Sequence, residues 1–298
     1  MAEHPLQLEK DQARRAFSRS AHSYDEVAVL QREMGQRMLD RLQYVKLQPE
    51  LILDLGAGTG HFAGELAARY KNGRVIALDF AYPMLLLARR RGPWLRRPRC
   101  VCGDLEQLPF ADQSADLLFS NAAIQWSRDL DRTFREFLRV LRPGGLLMFT
   151  TFGPDTLKEL RAAWGAADGH SHVSGFADLH DLGDALLRAG FAAPVMDCDR
   201  LTLTYGDVRT LMRDLKRLGA HNVTAGRPRG LTGKGRLAAM TQAYEAYRRD
   251  GRLPASYEVI YGHAWAPVAA PRRPAPGVPV GAPGEASIIV STSASVRP

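Results

Sequence analysis

The stretch from Leu51 to Gly60 reads LILDLGAGTG. Its apolar run is interrupted by Asp54, and glycines follow at alternate positions, Gly56, Gly58 and Gly60. Glycine allows positive φ and removes the Cβ atom that would keep a ligand away from the backbone. A short buried strand that ends in such a turn and opens a helix is typical of the nucleotide-binding corner of a doubly wound α/β sheet. Taken alone, the motif is also compatible with a plain strand-to-helix turn.

The sequence around this stretch alternates between strand-like and helix-like segments. Apolar runs predict strands at 51–55, 74–79, 99–102, 115–120, 146–152, 195–205 and 257–265. Helical periodicity predicts helices at 61–70, 82–91, 130–141, 155–164, 178–189, 207–218 and 237–249. This alternation indicates an α/β fold with a seven-stranded, mostly parallel sheet and helices on both faces.

The segments outside the alternating core define the predicted domain organisation. Residues 1–22 are polar and basic and are expected to be flexible. Apolar side chains spaced by three and four residues predict a helix over 23–42 that covers the glycine corner. Within a single domain over 23–266, residues 206–252 are expected to form a helical lid. The Pro- and Ala-rich residues 267–298 are predicted to be a disordered tail.

The composition excludes some classes of protein but does not identify the function. Of the 298 residues, 45% are hydrophobic and 24% are charged, and no apolar run approaches the ~20 residues needed to cross a bilayer. The net charge of +8 is compatible with an acidic partner, a nucleic acid or a membrane surface, but no nucleic-acid motif accompanies it. Cys100, Cys102 and Cys198 form neither a disulfide framework nor a zinc pattern, and the scattered histidines predict no metal. Cys100 and Cys102 share one face of a predicted strand, so we expect buried free thiols, and we expect a cytoplasmic protein.

Polar residues follow the predicted strands at the edge where ligands bind in open α/β sheets. Asp79 ends the second strand, and its distance from the glycine loop suits a carboxylate that accepts both hydroxyls of a ribose. Asp104 follows the third strand and is placed to accept from an exocyclic amine, while Leu105 packs on the base. Asn121 and Ala122 follow the fourth strand and face the reactive end of the ligand. Together these positions predict a nucleoside cofactor.

The spacing of the glycines argues against a dinucleotide cofactor. The dinucleotide motif GxGxxG has its third glycine inside the helix, which would be position 61 here. Position 61 is instead His, and the glycines are at 56, 58 and 60. The motifs LDLGAGTG, ALD, GDLEQLPF, ADLLFSN and LRPGGLLMFTTF, within 51–152, resemble those of the class I S-adenosylmethionine-dependent methyltransferases. The resemblance implies their Rossmann-like fold and S-adenosyl-L-methionine as cofactor. The cofactor-binding residues that we expect on this basis are Gln31, Asp54, Gly56, Gly58, Gly60, Asp79, Phe80, Met84, Asp104, Leu105, Asn121 and Ala122.

The flanking segments resemble one subgroup, the malonyl-[acyl-carrier protein] O-methyltransferases of biotin synthesis, over residues 12–266. The segments that carry the resemblance are FSRSAHSYDEVAVLQREMGQRML, SNAAIQW, FTTFGPDTLKELRAAW, LMRDLKRLGAHN and YEVIYGHAW. It implies methyl transfer to the free carboxylate of malonyl-acyl carrier protein or malonyl-CoA. A methyltransferase for a small organic acid or quinone precursor, and an assembly factor that retains the cofactor site, remain alternatives.

The implied reaction needs no general base, because a malonyl carboxyl is already ionised at neutral pH. It needs residues that position an anion in a desolvated site. We expect Tyr24, Gln125 and Trp126 to be catalytic, with Tyr24 also binding substrate, although both aromatic side chains also suit plain packing. Arg213 and Lys216 are the other substrate-binding candidates, against a solvated helix face as the alternative. The basic helix 207–218, or the arginine cluster 89–99, is expected to dock the acidic carrier on a monomeric enzyme.

Overall fold

The computed structural model describes residues 9–268 except 169, 171, 221 and 223–232. Its strands are β1 (Leu51–Leu55), β2 (Arg74–Asp79), β3 (Arg99–Cys102), β4 (Ala115–Asn121), β5 (Leu141–Phe152), β6 (Ala192–Tyr205) and β7 (Leu253–Trp265). Its helices are α1 (Lys10–Ser20), α2 (Tyr24–Val27), α3 (Val29–Arg41), α4 (His61–Arg69), α5 (Tyr82–Ala88), α6 (Leu130–Val140), α7 (Lys158–Ala167), α8 (Leu179–Ala189), α9 (Val208–Leu218) and α10 (Lys234–Glu245). Short 3-10 turns occupy Leu42–Tyr44, Trp94–Arg96 and Ile124–Trp126.

The strands form one seven-stranded sheet in the order β3-β2-β1-β4-β5-β7-β6. All neighbours are parallel except β7, which is antiparallel to both β5 and β6. The predicted mostly parallel α/β sheet is therefore confirmed. The order reverses between β1 and β4, and in such sheets ligands bind at the carboxyl ends of the strands beside that reversal. The glycine loop follows β1 and thus lies at this crevice.

Helices cover both faces of the sheet, as predicted. On one face, α3, α4, α7 and α10 bury apolar side chains that include Met34, Leu66 and Tyr244. On the other face, α6 and α8 bury Phe134 and Leu186. Each fully buried side chain of this size contributes about 1.5–3 kcal/mol through removal of apolar surface from water. The two apolar layers fix the sheet, and with it the strand ends that carry the site.

The prediction of a flexible segment over 1–22 is wrong for residues 10–20, which form helix α1. Ala13 and Ala16 are buried, and Phe17 packs among aromatic residues. The small alanines give a weak apolar signal beside many charged residues, so the sequence pattern did not indicate a helix. The predicted helix over 23–42 is divided at Ala28, between α2 and α3.

Two further expectations are corrected by the sheet. Strand β5 begins at Leu141 rather than 146, because the Arg142–Gly145 segment continues the strand, with a register shift opposite β4. Buried thiols were expected, but Cys100 is only partly buried, and Cys102 and Cys198 are exposed. The reason is position, because β3 and β6 are the two edges of the sheet.

The insertion between β6 and β7 contains α9 and α10, in agreement with two of the predicted helices. Helix α9 begins after Asp207, whose carboxylate accepts a hydrogen bond from the Thr210 amide at 2.9 Å. The predicted loop over 220–234 falls mostly outside the described residues, and so does nearly all of the predicted tail over 267–298. Within the described ranges, no helix is long and apolar enough to cross a membrane.

Candidate active site

The glycine loop joins β1 to α4, and all three of its glycines have positive φ. A Cβ atom on Gly56 would lie 2.2 Å from the Cβ of Ala123, and one on Gly60 would lie 2.6 Å from Ala88. The amides of Gly56 and Ala57 donate to the Leu78 carbonyl at 2.8 and 2.9 Å, which ties the loop to β2. The loop thus needs glycine for both its backbone conformation and its close packing.

Asp79, at the end of β2, is 6% exposed and accepts two backbone hydrogen bonds. The Gly58 amide donates to Oδ2 at 2.9 Å, and the Ala81 amide donates to Oδ1 at 2.8 Å. Burial raises the pKa of Asp79 to about 6, against the lowering effect of these donors. The carboxylate is therefore mostly ionised at neutral pH, and each oxygen keeps lone pairs for further donors.

Asp54 lies beneath the loop on β1 and is 2% exposed. Burial, together with the negative charge of Asp79, raises its pKa to about 8, while the Ala63 backbone amide opposes that shift. In the part of the chain that the structure describes, its Oδ2 atom has no hydrogen-bond partner. An unsatisfied buried carboxylate oxygen is costly, and a cation or donor that reached it would relieve the cost.

The end of β4 is held by a chain of side-chain hydrogen bonds. Thr150 Oγ1 donates to Asn121 Oδ1 at 2.7 Å, and Asn121 Nδ2 donates to the Gln31 carbonyl at 2.9 Å. Gln125 Nε2 donates to the Ala122 carbonyl at 2.7 Å. Ala122 has a φ of 50°, a strained value for a residue other than glycine. These bonds fix the strand end, so we assign Asn121 and Gln125 to positioning the site.

Asp104 is held by a residue that sequence analysis missed. Lys10, on α1, lies 2.6 Å from Asp104 Oδ1 and 2.8 Å from Glu106 Oε2. The Glu106 amide also donates to Oδ1 at 2.9 Å. Lys10 lies in the segment that was expected to be flexible, which is why no pattern indicated it. The pair of contacts joins α1 to the β3 side of the crevice.

A narrow cleft runs along these strand ends. The predicted cofactor residues that line it are Gly56, Gly58, Asp79, Phe80, Met84, Asp104, Leu105, Asn121 and Ala122. Gln31 lines a neighbouring chamber instead, and its buried Oε1 atom lacks a partner among the described residues. Asp54 and Gly60 lie behind the lining and shape it. Lys10 and Phe17 also line the cleft, and sequence analysis named neither.

The neighbouring chamber has a volume of about 690 Å³ and meets the cleft at four shared lining residues, Phe17, Tyr24, Ala122 and Trp126. The rings of Phe17 and Trp126 pack edge to face at a centroid distance of 5.1 Å. Burial, and the nearby charge of Asp79, hold the pKa of Tyr24 well above its usual value. Tyr24 therefore stays a neutral phenol near neutral pH and is a hydrogen-bond donor rather than a base.

Aromatic side chains contribute to the chamber wall, with Phe152, Trp164 and Tyr257 among its lining residues. Gln125 lines the chamber, as do the cations Arg19 and Lys216. Of the substrate-binding candidates, Tyr24 and Lys216 are thus at the chamber, whereas Arg213 is exposed and lies outside its lining. A chamber lined by both apolar and polar side chains, with cations among them, suits a long ligand that ends in an anion.

Known proteins similar to this chain share its site region and nearly all of its length. A family model described as "Methyltransferase domain" matches residues 53–149. A malonyl-[acyl-carrier protein] O-methyltransferase of Gallionella capsiferriformans (strain ES-2) is 54% identical over 271 residues, which cover 89% of this chain and 93% of the relative. A relative with the same name from Methylovorus sp. (strain MP688) is 54% identical over 270 residues, 88% and 90% of the two chains.

The chain belongs to the malonyl-[acyl-carrier protein] O-methyltransferase family. Its fold agrees with a solved structure, the BH2331 protein of Bacillus halodurans C-125, at a TM-score of 0.56 and 20% identity. That comparison covers 77% of this chain and 98% of the other, and it supports the fold alone. Family membership confirms the resemblance that the motifs and flanking segments indicated.

The cleft of this family member is chemically suited to S-adenosylmethionine. That cofactor carries a ribose diol, an adenine amine, an ammonium group and a sulfonium group. We expect Asp79 to bind the diol and Asp104 to bind the amine. The contacts to the Asp104 carboxylate from the described residues all end on Oδ1, which leaves Oδ2 available. Asp54 lies outside the lining of this cleft, and we expect its raised pKa to fall when the positive charge of the cofactor's amino-acid part approaches its unsatisfied Oδ2. The Tyr24–Trp126 junction is where a methyl group would pass into the chamber.

Proposed function

We propose that this protein transfers the methyl group of S-adenosylmethionine to the free carboxylate of malonyl-acyl carrier protein. The product is the methyl ester that starts pimeloyl synthesis for biotin. The observation that carries the proposal is the chamber of about 690 Å³ that meets the cofactor cleft at Tyr24 and Trp126. Its volume lies within the roughly 300–1,000 Å³ of small-molecule sites, so it can enclose an extended acyl arm.

The chain's own residues position and desolvate the reacting groups. S-adenosylmethionine supplies, when bound, an electrophilic methyl group on a sulfonium sulfur. Tyr24 donates a hydrogen bond to one carboxylate oxygen and so directs the other oxygen toward the cleft. The Phe17–Trp126 pair excludes water from the junction. Gln125 holds Ala122 and the chamber wall, and no residue acts as a base, because the carboxylate is already ionised.

The hydrogen bond that Tyr24 would donate to the carboxylate is suited to catalysis because it is weaker than an ion pair. Opposite charges on the carboxylate and the sulfonium disappear as the methyl group moves between them. A strong ion pair with the carboxylate would stabilise the ground state more than the transition state. A neutral phenol at the junction, with the cations at the chamber rim, avoids that loss.

The carrier is proposed to dock on the exposed face of α9. Arg209 and Arg213 are exposed on this helix, and Lys216, two turns beyond Arg209, lines the chamber. This continuity favours α9 over the arginine cluster at 89–99, whose residues do not line the chamber. An acidic carrier would thus dock where its acyl arm can enter, and its association would weaken as salt rises.

Charge reversal tests the docking face. The R209E/R213E variant is expected to weaken binding of malonyl-carrier protein and to flatten its salt dependence, because two of the attracting charges are inverted. R90E changes an exposed charge in the other arginine cluster and is the matched control. The affinity of each variant for malonyl-carrier protein is measured by calorimetry at two salt concentrations, and the two variants are compared with the wild type. An effect in R90E alone would move the docking face to the 89–99 cluster.

Substrate comparison tests the proposed reaction. Methyl ester formation is measured with malonyl-carrier protein, malonyl-CoA and free malonate, and we expect kcat/KM to fall in that order. Equal or better use of free malonate, or of an unrelated organic acid, would favour a small-acid methyltransferase. Absence of methyl transfer to any carboxylate would favour an assembly role that retains the cofactor site.

Two further properties belong to this proposal. We place the reaction in the cytoplasm, because the three cysteines are free thiols and suit a reducing compartment. We also propose that the enzyme acts as a monomer, because cleft and chamber are both built from one chain. Light scattering on the purified protein tests the second point.

A further inference from the structure

Two cations at the chamber rim have no acidic partner within the described part of the chain. They are Arg19, in the last turn of α1, and Lys216, in the last turn of α9, and both are exposed while lining the chamber. Basic neighbours are engaged elsewhere: Lys10 contacts Asp104 and Glu106, Arg14 pairs with Asp11, and Arg217 pairs with Glu26. The rim therefore offers two available positive charges rather than a neutralised surface.

The fold brings these two cations to one place. Ser20, the next residue after Arg19, donates from Oγ to the backbone carbonyl of Lys216 at 3.3 Å. Gly219, which follows α9, is so close to α1 that a Cβ atom there would lie 3.1 Å from the Phe17 amide nitrogen. The last turns of the two helices thus meet at the rim. Like charges held together in this way repel each other unless an anion joins them.

The same lining contains an acidic side chain, Asp214. Burial, with a smaller contribution from the charge of Asp214, raises the pKa of Tyr205 to about 12, and the same charge adds to the effect of burial on the pKa of Tyr257. Its carboxylate forms no ion pair with Lys216 or Arg19 among the described contacts. The rim therefore remains positive where α1 and α9 meet.

We propose that Arg19 and Lys216 bind the phosphoryl group at the end of the substrate's pantetheine arm. The inference rests on the proposed function and specifies how that site recognises its substrate. Tyr24, Arg19 and Lys216 all line the same chamber, so the malonyl carboxylate can reach Tyr24 while the phosphoryl group binds between the two cations and the arm lies within the chamber. The guanidinium of Arg19 offers a planar fork for two phosphate oxygens, and Lys216 adds a point charge. The same group occurs in a carrier protein's prosthetic arm and in CoA.

Three synthetic substrates test the assignment without a carrier protein. Malonyl-pantetheine lacks the phosphoryl group, malonyl-phosphopantetheine has it, and malonyl-CoA extends it. The ratio of kcat/KM for malonyl-phosphopantetheine over malonyl-pantetheine is measured for the wild type, R19Q, K216Q and R19Q/K216Q. The wild-type ratio is expected to be at least about tenfold, because malonyl-pantetheine lacks the group that would form the charge-assisted contacts with Arg19 and Lys216. The double variant is expected to bring it near one.

R15Q is the matched control, because Arg15 is an exposed arginine on the same helix and lies outside the chamber lining. Its selectivity ratio is expected to equal that of the wild type. R19K is expected to retain part of the ratio, because it keeps the charge but loses the fork. Malonyl-carrier protein is measured in parallel and is expected to lose activity in the double variant by a factor similar to that for malonyl-phosphopantetheine.

The outcomes separate this inference from the proposed function. An unchanged ratio in R19Q/K216Q, with all thioesters still methylated, would show that the two cations are a solvated rim. A loss confined to malonyl-CoA would also overturn the assignment, because it would place the contact on the distal part of CoA. If the wild type methylates no malonyl thioester at all, the proposed function fails instead.

Discussion

At the level of single residues, two buried carboxylates near the glycine loop, Asp79 and Asp54, differ in their hydrogen bonding. Asp79 is satisfied by backbone amides, whereas Asp54 retains an oxygen without a partner among the described residues. Both have raised pKa values, about 6 and about 8, because burial disfavours their charged forms. We expect a cationic ligand to offset this desolvation cost and so to couple folding stability to cofactor binding.

The D54N variant is expected to stabilise the free protein at alkaline pH and to weaken cofactor binding. Because the folded pKa of Asp54 lies above its ordinary value, the folded state binds the extra proton, and stability is lost as pH rises toward about 8. Asparagine removes this loss. Thermal unfolding from pH 5 to pH 8 should show a melting-temperature advantage for D54N that grows with pH.

D40N, at an exposed carboxylate of α3, is the control and should show no such trend. A D54N protein that melts below the wild type at pH 8 would mean that the ionised carboxylate is stabilising even without ligand. That result would contradict the role we assign to its unsatisfied oxygen.

Cofactor affinity is expected to rise between pH 5 and pH 7. Asp79 must be ionised to accept two ribose hydroxyls, and burial has raised its pKa to about 6. Well below that pKa, each pH unit should change affinity by up to roughly tenfold through this group. Calorimetry with S-adenosylhomocysteine measures this affinity. The D79N variant should bind weakly, and its affinity should not rise between pH 5 and pH 7. A wild-type affinity that is constant from pH 5 to pH 7 would contradict the assignment.

The residues at strand ends could be predicted because their positions follow from topology. Once β1 and β2 were assigned, Asp79 had to lie beside the glycine loop. Arg19 and Lys10 could not be found in this way, since they reach the site through a tertiary contact of α1 with distant elements. A single sequence shows no pattern that pairs residue 10 with residue 104.

At the level of elements, the helices α1 to α3 form a cover held to the glycine loop by ionic and polar contacts. Thr59 Oγ1 donates to Asp25 Oδ1 at 2.6 Å, and Arg91 pairs with the same carboxylate. Arg91 also donates to the Thr59 carbonyl at 3.2 Å. Asp25 directly follows Tyr24, so these contacts position the phenol at the junction of cleft and chamber.

Loss of the Arg91 contacts with Asp25 and Thr59 is expected to weaken cofactor binding with little change in the free energy of unfolding. The R91Q variant removes the ion pair between Arg91 and Asp25. Because this pair is partly exposed, it contributes about 0.5–1 kcal/mol to holding α2 at the glycine loop. Affinity for S-adenosylhomocysteine should fall roughly two- to fivefold. R90Q, at the exposed neighbouring arginine, should match the wild type. Equal affinities for R91Q and R90Q would show that the Arg91–Asp25 pair does not support cofactor binding.

The elements with strong periodicity were predicted well, and those with short apolar stripes were not. Helix α9 shows a clear apolar face, and its structure agrees with the predicted helix after Asp207. Helix α1 buries mainly small alanines, so the hydrophobic signal is too weak to identify it. Edge position, which decides the exposure of the cysteines in β3 and β6, depends on strand order rather than on local sequence.

At the level of the whole molecule, the sheet supplies the cofactor crevice, and the segments before and after it form the substrate chamber. The fold could be inferred from alternation and motifs, but the chamber could not, because its lining comes from α1, α2, α3, α7, α9 and several strands. Substrate choice therefore depends on surfaces that only the folded chain assembles. The family's reaction and the chamber geometry agree in pointing to a long, anion-tipped acyl thioester.

Intact-protein mass spectrometry of malonyl-carrier protein incubated with this protein and S-adenosylmethionine tests the central claim most directly. Butyryl-carrier protein, which lacks the free carboxylate, is the substrate control, and D79N is the enzyme control. The proposed reaction requires that malonyl-carrier protein gains the mass of one methyl group, that the butyryl form gains none, and that D79N greatly slows the gain. No gain on malonyl-carrier protein, or an equal gain on the butyryl form, would contradict it.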